Sequence, residues 1–169
     1  MIITAASWGF DMRWPIELRL ELEDLFASYA SALDGDALET WPTFFTEDCF
    51  YQIIPRDNYE RGLPLALMRC ESKGMLQDRV YAIRETMMYE PRYLRHLISS
   101  IRITGQEDSG WCVEANYAVF ETPLNDLTRV FNVGRYLDRV VRDSGELKFA
   151  EKHCVFDSLL VPNSIVYPI

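Results

Sequence analysis

Only two histidines, His96 and His153, occur among the 169 residues, so any metal or acid/base scheme has few members to draw on. The four cysteines, Cys49, Cys70, Cys112 and Cys154, are scattered without a Cys-x-x-Cys. That spread excludes a disulfide framework, a zinc knuckle and the paired Cys and His of an iron–sulfur centre. Neither G-x-G-x-x-G, G-x-x-x-x-G-K-[ST] nor G-x-S-x-G occurs, which removes the usual equipment of nucleotide binding and serine hydrolysis. No apolar run approaches 18 residues, and the stretch before Arg13 lacks the charged start and apolar run of a secretory signal. A soluble chain with reduced thiols in the cytoplasm, away from any membrane, is expected. Basic residues are scarce as well, 17 against 26 acidic ones, for a net charge of −9. The average surface repels a phosphate backbone, so nucleic acid is not the expected partner.

Apolar residues are plentiful at 49% of the chain, enough for a sizeable core, and the length suits one domain over residues 1–169. Leu18, Leu22, Leu25, Phe26, Tyr29 and Leu33 share one side of a helix. Pro15 suits its first turn, and Gly35 can take a left-handed turn that ends it. Asp36-Ala37-Leu38-Glu39 resembles a capping box, which predicts a short second helix through Leu38, Trp41, Phe44 and Phe45. Cys49 to Ile54 reads as a strand stopped by Pro55, and Arg56 to Gly62 as a loop. Leu63 to Cys70 suits a buried strand as well as a helical turn, with strand the adopted reading. Leu76, Val80, Ile83 and Met87 predict a third helix starting near Ser72.

The second half changes period. Residues 95–103 and 111–119 and the pair Leu147 and Phe149 alternate with their neighbours, and Leu127 to Val141 is a long β-rich run. The links between them, Gly105 to Gly110, Pro123 to Asp126 and Asp143-Ser144-Gly145, are too short for helical crossovers. Three N-terminal helices packed against a curved, mainly antiparallel sheet define an α+β class.

Candidate chemistry is thin. His96, His153 and Asp157 supply the ligand types of a mononuclear iron site, but strand histidines hydrogen-bonded at a sheet face are the simpler reading. Asp48, Tyr51, Asp78, Tyr117 and His96 would form a general acid/base set only if the fold buries them together; Asp48 alone reads as a turn residue and Asp78 as a solvated helix charge. Interface residues are better represented. Glu90 to His96 concentrates three cations and an aromatic, and both ends of the chain are apolar, with Trp8, Phe10 and Trp14 at one and Ile165 to Ile169 at the other. The tail either meets a partner or tucks back onto its own domain.

Several runs taken in order resemble one family over nearly the whole chain: the small (β) subunits of Rieske-type aromatic-ring-hydroxylating oxygenases. They are residues 29–34 with Trp41, residues 51–56, the stretch from Glu71 to Val80, the Pro-x-x-x-Arg-His of Pro91 to His96, residues 131–136, and the closing Pro-Asn-Ser-Ile-Val-Tyr-Pro-Ile. The last two runs look most like salicylate- or anthranilate-type subunits. Arg92-Tyr93-Leu94, where many relatives have Ser, and Ser99-Ser100, where Asn is common, depart from the pattern and bear on partner contacts. The resemblance implies an NTF2-like cone, related to ketosteroid isomerase and scytalone dehydratase. It implies a small-subunit trimer beneath three large (α) subunits in an α3β3 hexamer. The large subunit would hold the Rieske [2Fe–2S] cluster and the mononuclear Fe(II), with electrons relayed from NAD(P)H by a reductase and a ferredoxin. This chain would then hold no cofactor and perform no chemistry. The expected contact residues are Trp8, Trp14, Arg92, Tyr93, Arg95, His96, Asn163, Ser164, Tyr167 and Ile169. The competing expectation is a stand-alone dehydratase, isomerase or cyclase working by acid/base catalysis in the cone.

Overall fold

The computed structural model describes residues 14–86, 90–158 and 165–169. Helix α1 (Ile16–Asp34) buries all six residues of the apolar stripe, together with Ala30 and Ala32. Their burial contributes roughly 9–18 kcal/mol as an upper bound, at about 1.5–3 kcal/mol each. Pro15 stands at the N-cap rather than within the first turn. The left-handed residue after the helix is Asp36 (φ 55°), whereas Gly35 keeps φ −87°. Aspartate tolerates that region because its short polar side chain bonds locally. Here its carboxylate accepts from Arg84 Nη1 at 2.8 Å, while Arg84 Nε donates to Glu39 at 2.8 Å. The expected capping box is therefore a clamp on another helix, and it holds the Glu39 carboxyl at about 2, well below its ordinary value. Only a single 3-10 turn, Trp41–Phe44 with Pro42 at its start, forms where a second helix was expected.

Strand β1 (Phe45–Pro55) runs further than its β-rich centre, and the polar stretch after it is a one-turn helix, α2 (Arg56–Glu60), rather than a loop. Pro55 at its N-cap presets the turn, and Asp57 sits in the first turn, where the helix dipole favours a negative charge. Of residues 63–70 only Met68–Cys70 pair as a strand, β2; Leu63, Leu65 and Leu67 are exposed. Helix α3 (Lys73–Glu85) is capped by Ser72, whose hydroxyl accepts from the Met75 amide at 3.3 Å, and buries Leu76, Val80 and Ile83. Met87 lies outside the described residues.

The meander follows as expected: β3 (Arg92–Glu107), β4 (Gly110–Pro123), β5 (Arg129–Asp143) and β6 (Glu146–Phe156). Ser144 (φ 53°) and Gly145 (φ 93°) form the two-residue loop between β5 and β6, both in the region that matches strand twist. Strand order is β2-β1-β6-β5-β4-β3, antiparallel throughout except that β1 and β6 run parallel. Register shifts interrupt the β1–β6, β3–β4, β4–β5 and β5–β6 ladders, and such bulges bend strands. The sheet thus curves around α1, and the space between is filled by aromatic rings, with Tyr117 and Tyr136 stacked at 4.3 Å and Phe26 edge-on to Phe149 at 5.3 Å.

Gly134 marks the tightest approach in the sheet. A Cβ there would stand 2.1 Å from the Val155 carbonyl oxygen, 2.7 Å from Phe156 Cα and 2.9 Å from the Tyr117 hydroxyl. Two of those atoms belong to the backbone of β6 and cannot step aside. Gly134→Ala should lower unfolding free energy by about 3 kcal/mol or more, read from the urea midpoint; an unchanged midpoint would show that the strands can part there without penalty.

Candidate functional site

The inner face of the sheet carries the one ion pair among the described residues that is wholly inside. Asp138 and Lys152 are directly opposite each other on β5 and β6, neither side chain has any exposure, and Nζ lies 2.8 Å from Oδ2. The ammonium is also boxed by rings, 3.6 Å above Tyr136, 4.3 Å from the centre of Phe149 and 4.7 Å from those of Phe26 and Tyr29. Cation–π attraction offsets part of its desolvation. Burial pushes the Asp138 carboxyl up to about 6, against the pull of Lys152, and its second oxygen has no hydrogen-bond partner.

Beside this pair the end of the chain is drawn inside. The main-chain oxygen of Ile169 accepts from the Tyr29 hydroxyl at 2.8 Å, the Tyr51 hydroxyl at 3.1 Å and the Cys154 thiol at 3.2 Å. Its amide donates to the Tyr51 oxygen at 3.0 Å. Ile165 and Ile169 are both buried in the core, so the tail folds back onto its own chain. Of the five residues considered as an acid/base set, Tyr51 and Tyr117 reach this interior, and Tyr117 donates to Asn132 at 2.7 Å. Asp48 and Asp78 are exposed and do not join them. His96 points inward but is engaged with the last residue of α1: its Nδ1 lies 2.6 Å from Asp34 Oδ1, and its amide donates to the same carboxylate at 3.0 Å.

His153 is on the other face of the sheet, with Nδ1 2.7 Å from Gln52 and Nε2 3.5 Å from Glu151. Two strands separate β6 from β3, so His96 and His153 cannot share a metal. Asp157 pairs with Arg56 instead, Nη2–Oδ1 2.5 Å. Among the described residues no three of His, Cys, Asp and Glu stand together as a metal site.

The expected contact residues divide in the same way. Arg92 is largely buried: Nη1 donates to Glu121 at 2.7 Å, and its guanidinium lies over Phe131 at 5.0 Å and Tyr167 at 5.8 Å. Glu121 takes a second arginine, Arg129, at 2.7 Å. Arg92, Tyr93 and Tyr167 line one groove of about 540 Å³ with the end of α1, and Arg95 and His96 line an adjacent one of about 610 Å³ between α1 and β3. Trp14 packs half-buried between Leu22 and the far end of β3, and Ile169 is interior. Trp8, Asn163 and Ser164 lie outside the described residues.

A further surface emerges only from register. Leu97, Ala118 and Val133 stand side by side across β3, β4 and β5 on the outer face, and Arg95, Phe120 and Val130 form the adjacent row. Leu97 is 56%, Val130 56% and Val133 40% exposed, and Tyr93 two residues before Arg95 is 65% exposed. These residues form one contiguous patch that is apolar apart from Arg95.

A curved, mostly antiparallel sheet wrapped on one long helix, its interior filled by packed side chains, defines an NTF2-like cone. The same cone occurs, as a fold alone, in a Novosphingobium aromaticivorans protein assigned as a scytalone dehydratase, at TM-score 0.62 and 19% identity over 82% of each chain. The family model for the ring hydroxylating beta subunit matches residues 29–163, and the chain belongs to that family of aromatic-ring-hydroxylating oxygenase small subunits. It is 38% identical to the anthranilate 1,2-dioxygenase small subunit of Burkholderia cepacia, over 83% of this chain and 88% of that one. It is 34% identical to a terephthalate 1,2-dioxygenase terminal oxygenase beta subunit of Comamonas, over 85% and 93%. A crystal structure of a β subunit assigned to an aromatic-ring-hydroxylating dioxygenase of N. aromaticivorans superposes with TM-score 0.82, at 40% identity over 90% and 97% of the two chains.

The Asp138 carboxyl lies above its ordinary 3.8 in the folded chain, so between that pH and about 6 the folded state holds this proton and the unfolded state does not. Stability from this group is therefore greatest below about 3.8 and falls as pH rises to about 6. The difference in unfolding free energy between the natural chain and Asp138→Asn should decline across that window and level off above it. A difference independent of pH would show that Asp138 is ionised throughout. Lys152→Met, which strands the carboxylate, should cost about 3–5 kcal/mol near neutral pH by denaturant titration.

Proposed function

We propose that this chain is the non-catalytic assembly subunit of a cytoplasmic terminal oxygenase that hydroxylates an aromatic carboxylate. Its partner is a large (α) subunit carrying the Rieske [2Fe–2S] cluster and the mononuclear Fe(II), with a ferredoxin and reductase acting indirectly. Three copies would self-associate within an α3β3 hexamer and set the orientation of three large subunits, so that one subunit's Rieske centre lies within electron-transfer reach of its neighbour's iron. The substrate class rests on the relatives named for anthranilate and terephthalate, each a ring bearing a carboxylate. The four cysteines are free thiols, which suits a reducing compartment.

The observation that carries the reading is the exposed outer patch of Tyr93 and Leu97 on β3 and Val130 and Val133 on β5, bridged by Ala118 and Phe120 of the β4 strand between them. Water gains nothing from such a surface on a lone protein, whereas an obligate assembly burying roughly 2,000 Å² or more needs an apolar centre of this kind. Arg95 stands in the same face; its Nη1 lies 3.6 Å from Asp34 Oδ2, and its side chain, 71% exposed, keeps further donors open to a partner's carboxylate or carbonyl. A dehydratase or isomerase on the same cone would need an open interior, and here Ile165 and Ile169 occupy it.

Co-expression with the large oxygenase chain of the same source tests this. Leu97→Glu combined with Val133→Glu should leave the circular dichroism of the isolated chain unchanged, since both side chains face solvent, and should reduce recovery of the complex at least tenfold. Undiminished recovery would remove this face from the assembly, and turnover of an organic substrate by the isolated chain would favour the enzymatic reading.

A further inference from the structure

The pocket around Ile169 has the chemistry of a binding site independently of any assembly. Three donors, the Tyr29 and Tyr51 hydroxyls and the Cys154 thiol, converge on one oxygen within 3.2 Å. A peptide carbonyl offers two in-plane lone pairs, so a third donor is one more than an ordinary carbonyl uses. Converging donors in a water-free pocket are the arrangement that holds an oxyanion. Burial raises both phenols well above their usual range and Cys154 to about 12, which keeps all three protonated, and donating, at neutral pH. The Tyr51 oxygen also accepts, from the Ile169 amide. The Lys152 ammonium, paired with Asp138, lies 4.7 Å from the centre of the Tyr29 ring, and the Trp41 ring stands 5.1 Å from that of Tyr51.

We propose that this pocket is a binding site for the carboxylate of a small branched aliphatic acid, kept filled by the chain's own residues 165–169. The seated group combines a branched apolar side chain with an oxygen accepting three hydrogen bonds, and 3-methylpentanoate, isoleucine without its amino nitrogen, reproduces both.

The test uses a chain ending at Ser164, with four probes: the peptide Ile-Val-Tyr-Pro-Ile as free acid, the same peptide as its carboxamide, 3-methylpentanoate and 3-methylpentanamide. The shortened chain should bind both acids saturably by calorimetry, with a rise in melting temperature, and each amide at least about tenfold more weakly. Tyr51→Phe in the shortened chain should weaken the acids by about tenfold, and the full chain should respond to none of the four. Should the shortened chain be unfolded alone, acid-dependent recovery of its circular dichroism reads the same equilibrium. No saturable response up to about 10 mM, equal binding of acid and amide, or equal binding by the full chain would each overturn the proposal. Co-purification of the full chain with a large subunit is untouched by any of these outcomes, so the two readings fail separately.

Discussion

An ammonium group sealed from water ties the long helix to the sheet. Lys152 reaches inward from β6 and is met by Asp138 from β5, by Phe26 and Tyr29 from α1, and by the rings of Tyr136 and Phe149. Ordinary apolar packing tolerates sliding, because one methyl contact resembles the next. A charge with one anion and four ring faces tolerates much less, since any displacement of α1 removes a face that stands in for hydration. The same constraint fixes the register of β5 against β6, where Asp138 and Lys152 are direct neighbours. The position of Tyr29 follows from it, and with Tyr29 one of the three groups that receive the end of the chain.

The two faces of the sheet consequently have different tasks. Inward, several polar side chains are engaged within the chain: His96 with Asp34, Tyr117 with Asn132, Arg92 with Glu121. Outward, Leu97, Val130 and Val133 are left bare beside Arg95. The filled interior and the bare outer patch together agree with a subunit whose work is contact.

Much of the fold was legible because its signals are local. The stripe from Leu18 to Leu33 and the alternation in 95–103 and 111–119 each report on a single element, and each element formed. Failures came where one residue answers to another far along the chain. Asp36 and Glu39 have the spacing of a cap, but Arg84 of α3 claims both carboxylates. Gly35 invites the left-handed conformation, yet that clamp assigns it to Asp36. The buried pair left a trace only at Asp138, which falls between Tyr136 and Val140 on the inward parity of β5; Lys152 is out of step with Leu147 and Phe149 and turns inward through the bulge after Phe149. Nothing local paired them with each other. The outer apolar face was illegible for the same reason, since Leu97, Ala118 and Val133 become neighbours only through ladder register. Of the expected contact residues, Tyr93 and Arg95 fall on that face, whereas Arg92, His96 and Ile169 are turned inside.

The parallel alignment of β1 with β6 has a temporal consequence. Gln52 meets His153 across that ladder, 101 residues further along the chain. During synthesis β1 has only the three-residue β2 as a neighbour until nearly everything else has left the ribosome. Contacts so distant in sequence form late, because a long loop must close before they stabilise anything. The nascent chain therefore carries an incomplete, greasy sheet through most of its translation, and acquires its mature shape almost at once when the last strand emerges.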